Sequence, residues 1–361
     1  EKTGIVQGRM VEGVITLVFK KKGSKLDLQN YRPISLLNVD YKILTKVLAN
    51  RIKRVIGEII KTSQSYSIPG RDIADTIATV RDTIEFMKRD GAGGIVLAID
   101  WNKAFDRVEH EFLFRLLVRF GFGERLVGWV RMLYEGARSC VKVNGVLTDR
   151  FCLGRSIRQG CPLSALLYAI VAEPLALLIK KDARVRGIQQ PSGSIHTINQ
   201  YADDTTITVR DGNSVKRVLE LADIYGRASG ARINKEKSEI MYIGNVEREG
   251  VALRVEDRYI KVLGIYLGVE TTEATEATWT GVINKIKTVC GRWKARKLRL
   301  KGKVTVVNSL LLSGYVYVLS VLEMPMWVKN DLNKIVCYFI WEGKGVKIAQ
   351  GTLVGKGVKE G

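Results

Sequence analysis

The chain has 361 residues, with 58 Lys and Arg against 37 Asp and Glu, a formal net charge of +21, and two histidines. That length suggests two or three lobes, each with its own core, and the 46% hydrophobic content argues against disorder. Two histidines, His110 and His196, leave little room for a histidine metal cage or a His-centred proton relay.

The elements are predicted in chain order from apolar spacing. Ile15–Phe19 reads as a strand running into the basic turn Lys20-Lys21-Lys22-Gly23. From Asp40, the residues Ile43, Leu44, Val47, Leu48, Ile52, Val55, Ile56, Ile59 and Ile60 recur at three and four, one apolar helix face. Asp72 is placed to cap a helix carrying Ile73, Ile77, Val80, Ile84 and Met87, which Gly91 to Gly94 end. Ile95–Ile99 is a continuous apolar run, as in a strand buried on both faces, and it ends on Asp100. A helix with Phe112, Leu116, Leu117 and Phe120 inward follows, then another over 124–134. Asn144-Gly145 marks a hairpin turn. An apolar helix starts after Gly160-Cys161-Pro162 and runs to about Ile179, with Pro174 inside.

Ile198 to Val209 reads as a second hairpin with Ala202-Asp203-Asp204 at its tip. A helix over 214–228 stops at Ser229-Gly230, and 239–243 and 259–267 are strand-like. The Thr/Glu/Ala stretch 271–278 reads as a hinge. Nine Lys or Arg and no acid then occupy Lys285 to Lys303. The following 19 residues, Val304 to Leu322, carry no charge and are long enough to span a bilayer. Thr305, Asn308, Ser309, Ser313 and Ser320 interrupt them, which favours a buried helix of a soluble lobe over a membrane span.

The positive surplus favours a polyanionic partner, nucleic acid before a membrane surface. Cys140, Cys152, Cys161, Cys290 and Cys337 form no C-x-x-C pair and read as reduced thiols of an intracellular protein. The opening Glu1-Lys2-Thr3 carries no apolar leader and reads as an internal piece of a longer polypeptide.

Chemistry concentrates in carboxylates. Adjacent Asp203 and Asp204 repel each other, and a divalent cation at the hairpin tip offsets that; a plain acidic turn fits the same tetrapeptide. If the strand ending at Asp100 lies beside the hairpin, the three aspartates meet at one sheet edge. Three carboxylates and two Mg²⁺ ions suit in-line phosphoryl transfer without a protein nucleophile. The order strand, helix, hairpin, helix, strand suits a βαββαβ sheet, the additional helices forming an insertion.

These residues, with others, resemble the reverse transcriptases of non-LTR, LINE-type retrotransposons. Tyr201-Ala202-Asp203-Asp204 resembles their Y-x-D-D motif, and Ala98-Ile99-Asp100 through Ala104-Phe105-Asp106 their first aspartate motif. Ile157-Arg158-Gln159-Gly160-Cys161-Pro162-Leu163-Ser164 and Asn30-Tyr31-Arg32-Pro33-Ile34-Ser35 match two more. Ser229-Gly230 with Asn234, Lys237 and Ser238, then Leu263-Gly264 with Tyr266-Leu267-Gly268, continue the series in the family's order over about 15–345. Trp101 stands where many relatives carry a smaller residue, and Tyr66 where Phe is usual.

The resemblance implies an α+β right-hand polymerase: fingers with part of the palm edge over 1–90, a palm with the ferredoxin-like βαββαβ sheet over 91–270 with an inserted fingers or helical segment at about 107–160, a helical basic thumb over 271–345, and a trailing linker over 346–361. It implies Asp100, Asp203 and Asp204 as catalytic ligands of two Mg²⁺ ions, with Mn²⁺ able to substitute, and the Trp101 carbonyl as a further oxygen. Phe105 matches a steric gate that rejects the ribose 2′-hydroxyl; as a core aromatic it would fill the same position. Gln159 and Gly160 match residues at the incoming nucleotide. Arg32 and Lys22 would bind its triphosphate, and Lys237 would protonate pyrophosphate; an exposed helix or loop lysine fits that position equally. Asp106 is expected to cap the helix after the strand. Lys285, Lys287, Arg292, Lys294, Arg296, Lys297, Arg299, Lys301 and Lys303 would track phosphates of the duplex, with Trp293 stacking or packing among them.

The function so implied is RNA-directed DNA synthesis from dNTPs on an RNA template and DNA primer, with no membrane role. An endonuclease domain is expected elsewhere in the polypeptide, and the whole in nuclear and cytoplasmic ribonucleoprotein. A group II intron-type reverse transcriptase with maturase duties and a non-catalytic RNA-binding remnant are the alternatives.

Overall fold

The computed structural model describes residues 8–21, 23–248 and 250–343; Lys22 and the expected trailing linker 346–361 lie outside these. The chain divides into two compact units, residues 1–263 and 264–361.

The first unit holds two sheets. In the larger, the strands run in the order Arg254–Val255, Glu239–Ile243, Gly94–Ile99, Asp204–Val209, Ile198–Tyr201. Its middle strand is the apolar run, with every residue but Ala98 buried. It pairs antiparallel on both sides, Ile99 with Thr205 and Ala98 with Glu239. Helix Ile73–Arg89 packs against this sheet. Asp72 caps that helix in a reciprocal capping box with Asp75, and Ile77, Val80, Ile84 and Met87 face inward as predicted. Helices Ser164–Lys181 and Gly212–Ser229 pack on each other. The second sheet joins Glu12–Phe19 to Tyr31–Leu37 antiparallel and to Arg138–Val143 parallel, so the 107–160 segment completes a sheet begun near the start of the chain.

Two helix faces differ from the sequence reading. In Val39–Ile52 the buried residues are Tyr41, Thr45, Leu48, Ala49 and Ile52, while Ile43 and Val47 are exposed and the helix ends before Val55. The Thr45 hydroxyl donates to the Tyr41 carbonyl at 2.8 Å, so this polar residue is buried without an orphan group, and the Tyr41 ring lies under Arg158. In His110–Arg119, Leu113 and Phe114 are buried with Leu117, whereas Phe112, Leu116 and Phe120 are half-buried. Runs rich in apolar residues offer two adjacent stripes, and the neighbouring elements select between them.

The second unit is helical. Residues 271–278 are not a hinge: Thr271–Lys294 is a continuous helix of 24 residues. The Thr278 hydroxyl donates to the Ala274 carbonyl and accepts from the Tyr266 amide, and the buried Trp279 indole donates to the Glu323 carbonyl at 2.9 Å. Those partners anchor a stretch whose polarity resembled a linker. Leu300–Leu319 is long and apolar enough to cross a membrane by length and composition. The buried helix expected here is only partly buried: Val306, Val307, Leu311 and Val318 are buried, while Val304, Leu310, Val316 and Leu319 are exposed. Met326–Trp341 packs against Thr271–Lys294 within the same unit.

Candidate active site

The strand register brings the acids together. Ile99 faces Thr205, and Asp204 pairs with Tyr201, so Asp100 and Asp204 stand opposite each other at one end of the sheet. Directly opposed residues of an antiparallel pair share a face. The Asp100 amide donates to the Ser238 hydroxyl at 3.1 Å, and its carbonyl accepts from the Asn234 amide at 2.8 Å. Ala202 and Asp203 form the two-residue turn of the hairpin, and Ala202 sits in the left-handed region at φ +55.

The electrostatics are those of crowded anions. Asp204 reaches solvent at its outer edge, yet the protein around it, then the charges of Asp203 and Asp100, push its carboxyl up to about 6. Asp203 is raised by burial and by Asp100, with Arg32 and Lys20 acting in the opposite direction. None of the three forms a salt bridge among the described residues. Among the described residues no group of three His, Cys, Asp or Glu is arranged to hold a metal ion, so a cation here would draw on one or two carboxylates. That donor set fits a hard divalent cation such as Mg²⁺, which takes one or two carboxylates and completes its shell with water and phosphate.

The other expected site residues take varied positions. Trp101 is buried, its indole donating to the Thr205 hydroxyl at 3.0 Å and meeting Tyr225 edge-on. Its main chain faces Ile233 in a bridge whose hydrogen bonds belong to the flanking residues, so the bridge leaves the Trp101 carbonyl free. Phe105 stacks on the buried Tyr168 ring at 4.1 Å and 17°. Gln159 donates from its side chain to Asp106 at 3.4 Å, and its carbonyl accepts from the Ser35 amide. Gly160 has φ +108, and a Cβ there would lie 2.7 Å from the Ser35 carbonyl oxygen. The close approach it permits is therefore to its own chain. Arg32 is exposed on the Tyr31–Leu37 strand and acts on Asp203. Lys237 lines a cavity of about 160 Å³ with Asp100, Asp204, Glu239 and Lys261.

Two assignments are corrected. Asp106 caps no helix: it lies in the 3-10 turn Ala104–Arg107, pairs with Gln159, and the next helix has Glu109 at its N-cap. Lys303 does not face solvent with the other cations. It is buried, donating to the Ile340 carbonyl and forming a 2.6 Å salt bridge with Glu342. The other eight basic residues of 285–301 are exposed. Lys294 lies over the Tyr338 ring and Arg296 over Trp293.

Three contributors escaped the sequence reading. Lys20, whose charge bears on Asp203 and Asp106, belongs to a run of three lysines in which nothing distinguished it. Tyr168, under Phe105, is one apolar-helix residue among many. Gln64 is fully buried, and its side-chain oxygen accepts from the Ala202 amide at 3.3 Å. Gln64 faces Gln200 in a parallel bridge, with the Gln200 amide donating to Ser63 and the Ser65 amide to Gln200.

A strand-ending aspartate opposed by an aspartate pair at a hairpin tip, on an antiparallel sheet backed by helices, defines a right-hand nucleic-acid polymerase. Residues 19–283 match the family described as reverse transcriptase (RNA-dependent DNA polymerase). The chain is 34% identical over 331 residues to the transposon TX1 149 kDa protein of Xenopus laevis, covering 90% of this chain and 25% of that one. It is 26% identical over 341 residues to the RNA-directed DNA polymerase from mobile element jockey of Drosophila melanogaster, covering 89% and 36%. A telomerase structure from Candida tropicalis shares the fold at TM-score 0.53 and 12% identity, over 97% of this chain and 64% of that one. The chain belongs to the reverse transcriptase family, in its non-LTR, LINE-type branch. It spans about a quarter to a third of the length of these retrotransposon relatives, and members of the family use divalent metal ions.

Proposed function

We propose that this chain is the RNA-directed DNA polymerase module of a LINE-type retrotransposon, extending a primer 3′-hydroxyl with dNTPs by two-metal-ion nucleotidyl transfer. The observation that carries the reading is the register that sets Asp100 opposite Asp204, one residue from Asp203, with no salt bridge to any of the three among the described residues. Two Mg²⁺ ions held by these carboxylates, with Mn²⁺ able to substitute, would lower the pKa of the primer hydroxyl and neutralise the triphosphate. The primer 3′-oxygen bonds to the α-phosphorus as pyrophosphate leaves. Arg32 and Lys20 supply positive charge beside Asp203, and Lys237, on the cavity wall shared with Asp100 and Asp204, would give the departing pyrophosphate a proton. Phe105, backed by Tyr168, closes the space beneath the incoming sugar, so deoxynucleotides are preferred. Gln159 lies beside this ring's turn and contacts the nucleotide.

In this reading the sheet around Glu12–Phe19 belongs to the fingers, the sheet around Gly94–Ile99 is the palm, and the second unit is the thumb. The exposed cations of 285–301 follow the phosphates of an RNA template and DNA primer without reading sequence. An endonuclease domain lies elsewhere in the polypeptide, and the assembled ribonucleoprotein acts in cytoplasm and nucleus. The test is extension of oligo(dT) on poly(rA) with Mg²⁺ and dTTP. Incorporation by the wild-type chain that Asp203→Asn abolishes supports the reading; equal incorporation by both rejects it.

A further inference from the structure

A second cavity lies in the first unit, away from the carboxylates. It measures about 800 Å³. Its floor is formed by the buried or half-buried Leu219, Ala222, Ala231, Ile233 and Leu253, and the exposed Ala252 also lines it. Its rim carries five cations, Arg107, Arg155, Arg227, Arg232 and Lys235, against the two carboxylates Glu109 and Asp223. Internal pairing consumes part of that charge. Arg227 bonds Asp223 at 2.6 Å, and Arg155 lies 3.6 Å from Glu109. The Arg107 Nε donates to the Gly230 carbonyl at the end of the Gly212–Ser229 helix, which meets the demand of that helix terminus. Arg232 and Lys235 have no carboxylate within salt-bridge distance among the described residues. Burial, then Arg232 and Arg155, pull the Arg107 pKa down against the opposing charge of Glu109, so like charges crowd here.

The cavity is also tied to the catalytic strand. The Asn102 amide donates to the Arg232 carbonyl, the Asn234 amide donates to the Asp100 carbonyl, and Ile233 faces Trp101. The segment that carries the unpaired cations is thus fastened to the residue that carries a catalytic carboxylate.

We infer that this cavity is a holding site for a free nucleoside triphosphate, with the base on the apolar floor and the phosphates on Arg232, Lys235 and Arg107. An apolar floor under a cationic rim is what a base joined to phosphates requires. A cavity with Arg232 and Lys235 outside any salt bridge among the described residues, and Arg107 beside them, suits one triphosphate better than a run of strand phosphates, which would need a longer line of cations. The inference rests on the polymerase reading for its purpose, though its test does not.

The experiment measures binding of a fluorescent dATP analogue to the whole chain in EDTA, where a metal-dependent catalytic site does not hold a triphosphate. The wild-type chain and Asp203→Asn should bind alike, and Arg232→Glu with Lys235→Glu should weaken binding at least tenfold. Both substituted side chains are exposed, and circular dichroism checks that the fold persists. Unchanged affinity in the double variant overturns the proposal. So does displacement of the analogue by a short oligo(dT) at far lower concentration than by dATP, which would assign the cavity to a strand. Primer extension run in parallel separates the two readings: a chain that binds the analogue as expected but never extends primers retains the cavity site and loses the polymerase reading.

Discussion

The Gln64 side-chain oxygen accepts the Ala202 amide hydrogen at 3.3 Å, across 138 positions of sequence. The same oxygen accepts from the Tyr66 amide at 2.9 Å. Ala202 holds a left-handed φ that costs a non-glycine residue roughly 1 kcal/mol. A buried acceptor fixed by its own backbone bridge keeps the turn in that state, and Asp203 follows it directly.

Gln64→Met keeps the volume and removes the acceptor. The turn should lose its anchor, and kcat for dNTP incorporation should fall by about tenfold, while KM for dNTP changes little because no nucleotide contact is removed. Gln64→Glu, which retains an acceptor, should recover part of the rate. A rise in KM at constant kcat would place Gln64 in nucleotide binding instead.

Asp204 gives a pH prediction. Its carboxyl is raised to about 6 in the fold, above its ordinary value near 4. The folded state therefore holds a proton that the unfolded state has released between about pH 4 and 6, and stability without metal falls as pH rises through that window. Asp204→Asn should remove this dependence and stabilise the metal-free chain at pH 7, by under about 1 kcal/mol given solvent screening. Protons and metal compete for the same carboxylates, so activity should decline below about pH 6. Thermal unfolding in EDTA from pH 4 to 8 checks the first part. Identical curves for both proteins would show that Asp204 is not crowded by its neighbours.

Phe105 stacks on Tyr168, so sugar selectivity should depend on both rings. Phe105→Val should raise rNTP use relative to dNTP by roughly 10- to 100-fold. Tyr168→Leu leaves Phe105 in place and loosens its backing; a smaller shift in the same direction is expected. Competing dCTP and rCTP incorporation measures both. Selectivity unchanged in Phe105→Val would return that ring to a packing role.

The motifs were legible because their residue types are chemically constrained. Asp100 ends an uncharged strand, Asp203 and Asp204 stand side by side at a hairpin tip, and the apolar run of Ile95–Ile99 permits little but a central strand. Gln64, Lys20 and Tyr168 were not legible because their roles come from tertiary partners. A buried amide and a solvated amide look alike in sequence. The same limit explains the stretch 271–278, whose Thr and Glu residues resemble a linker until Trp279 and Thr278 find their partners.

Lys303 and its neighbours provide an internal control for nucleic-acid binding. Lys287, Arg292, Arg296 and Lys301 are exposed, whereas Lys303 is buried against Glu342 and the Ile340 carbonyl. Each phosphate neutralised by a cation contributes about 0.9 to the slope of log affinity against log salt. Replacing the four exposed residues with Gln should lower the slope for a primer–template duplex by about 3 to 4 if each meets a phosphate. Lys303→Met should leave the slope unchanged and destabilise the second unit by about 1–2 kcal/mol, because Glu342 and a carbonyl lose a charged donor. Fluorescence anisotropy titrations across 50–300 mM salt, paired with thermal unfolding, separate the two effects. A slope that falls with Lys303→Met, or holds when the other four are replaced, would mean that exposure does not mark which of these cations meet the duplex.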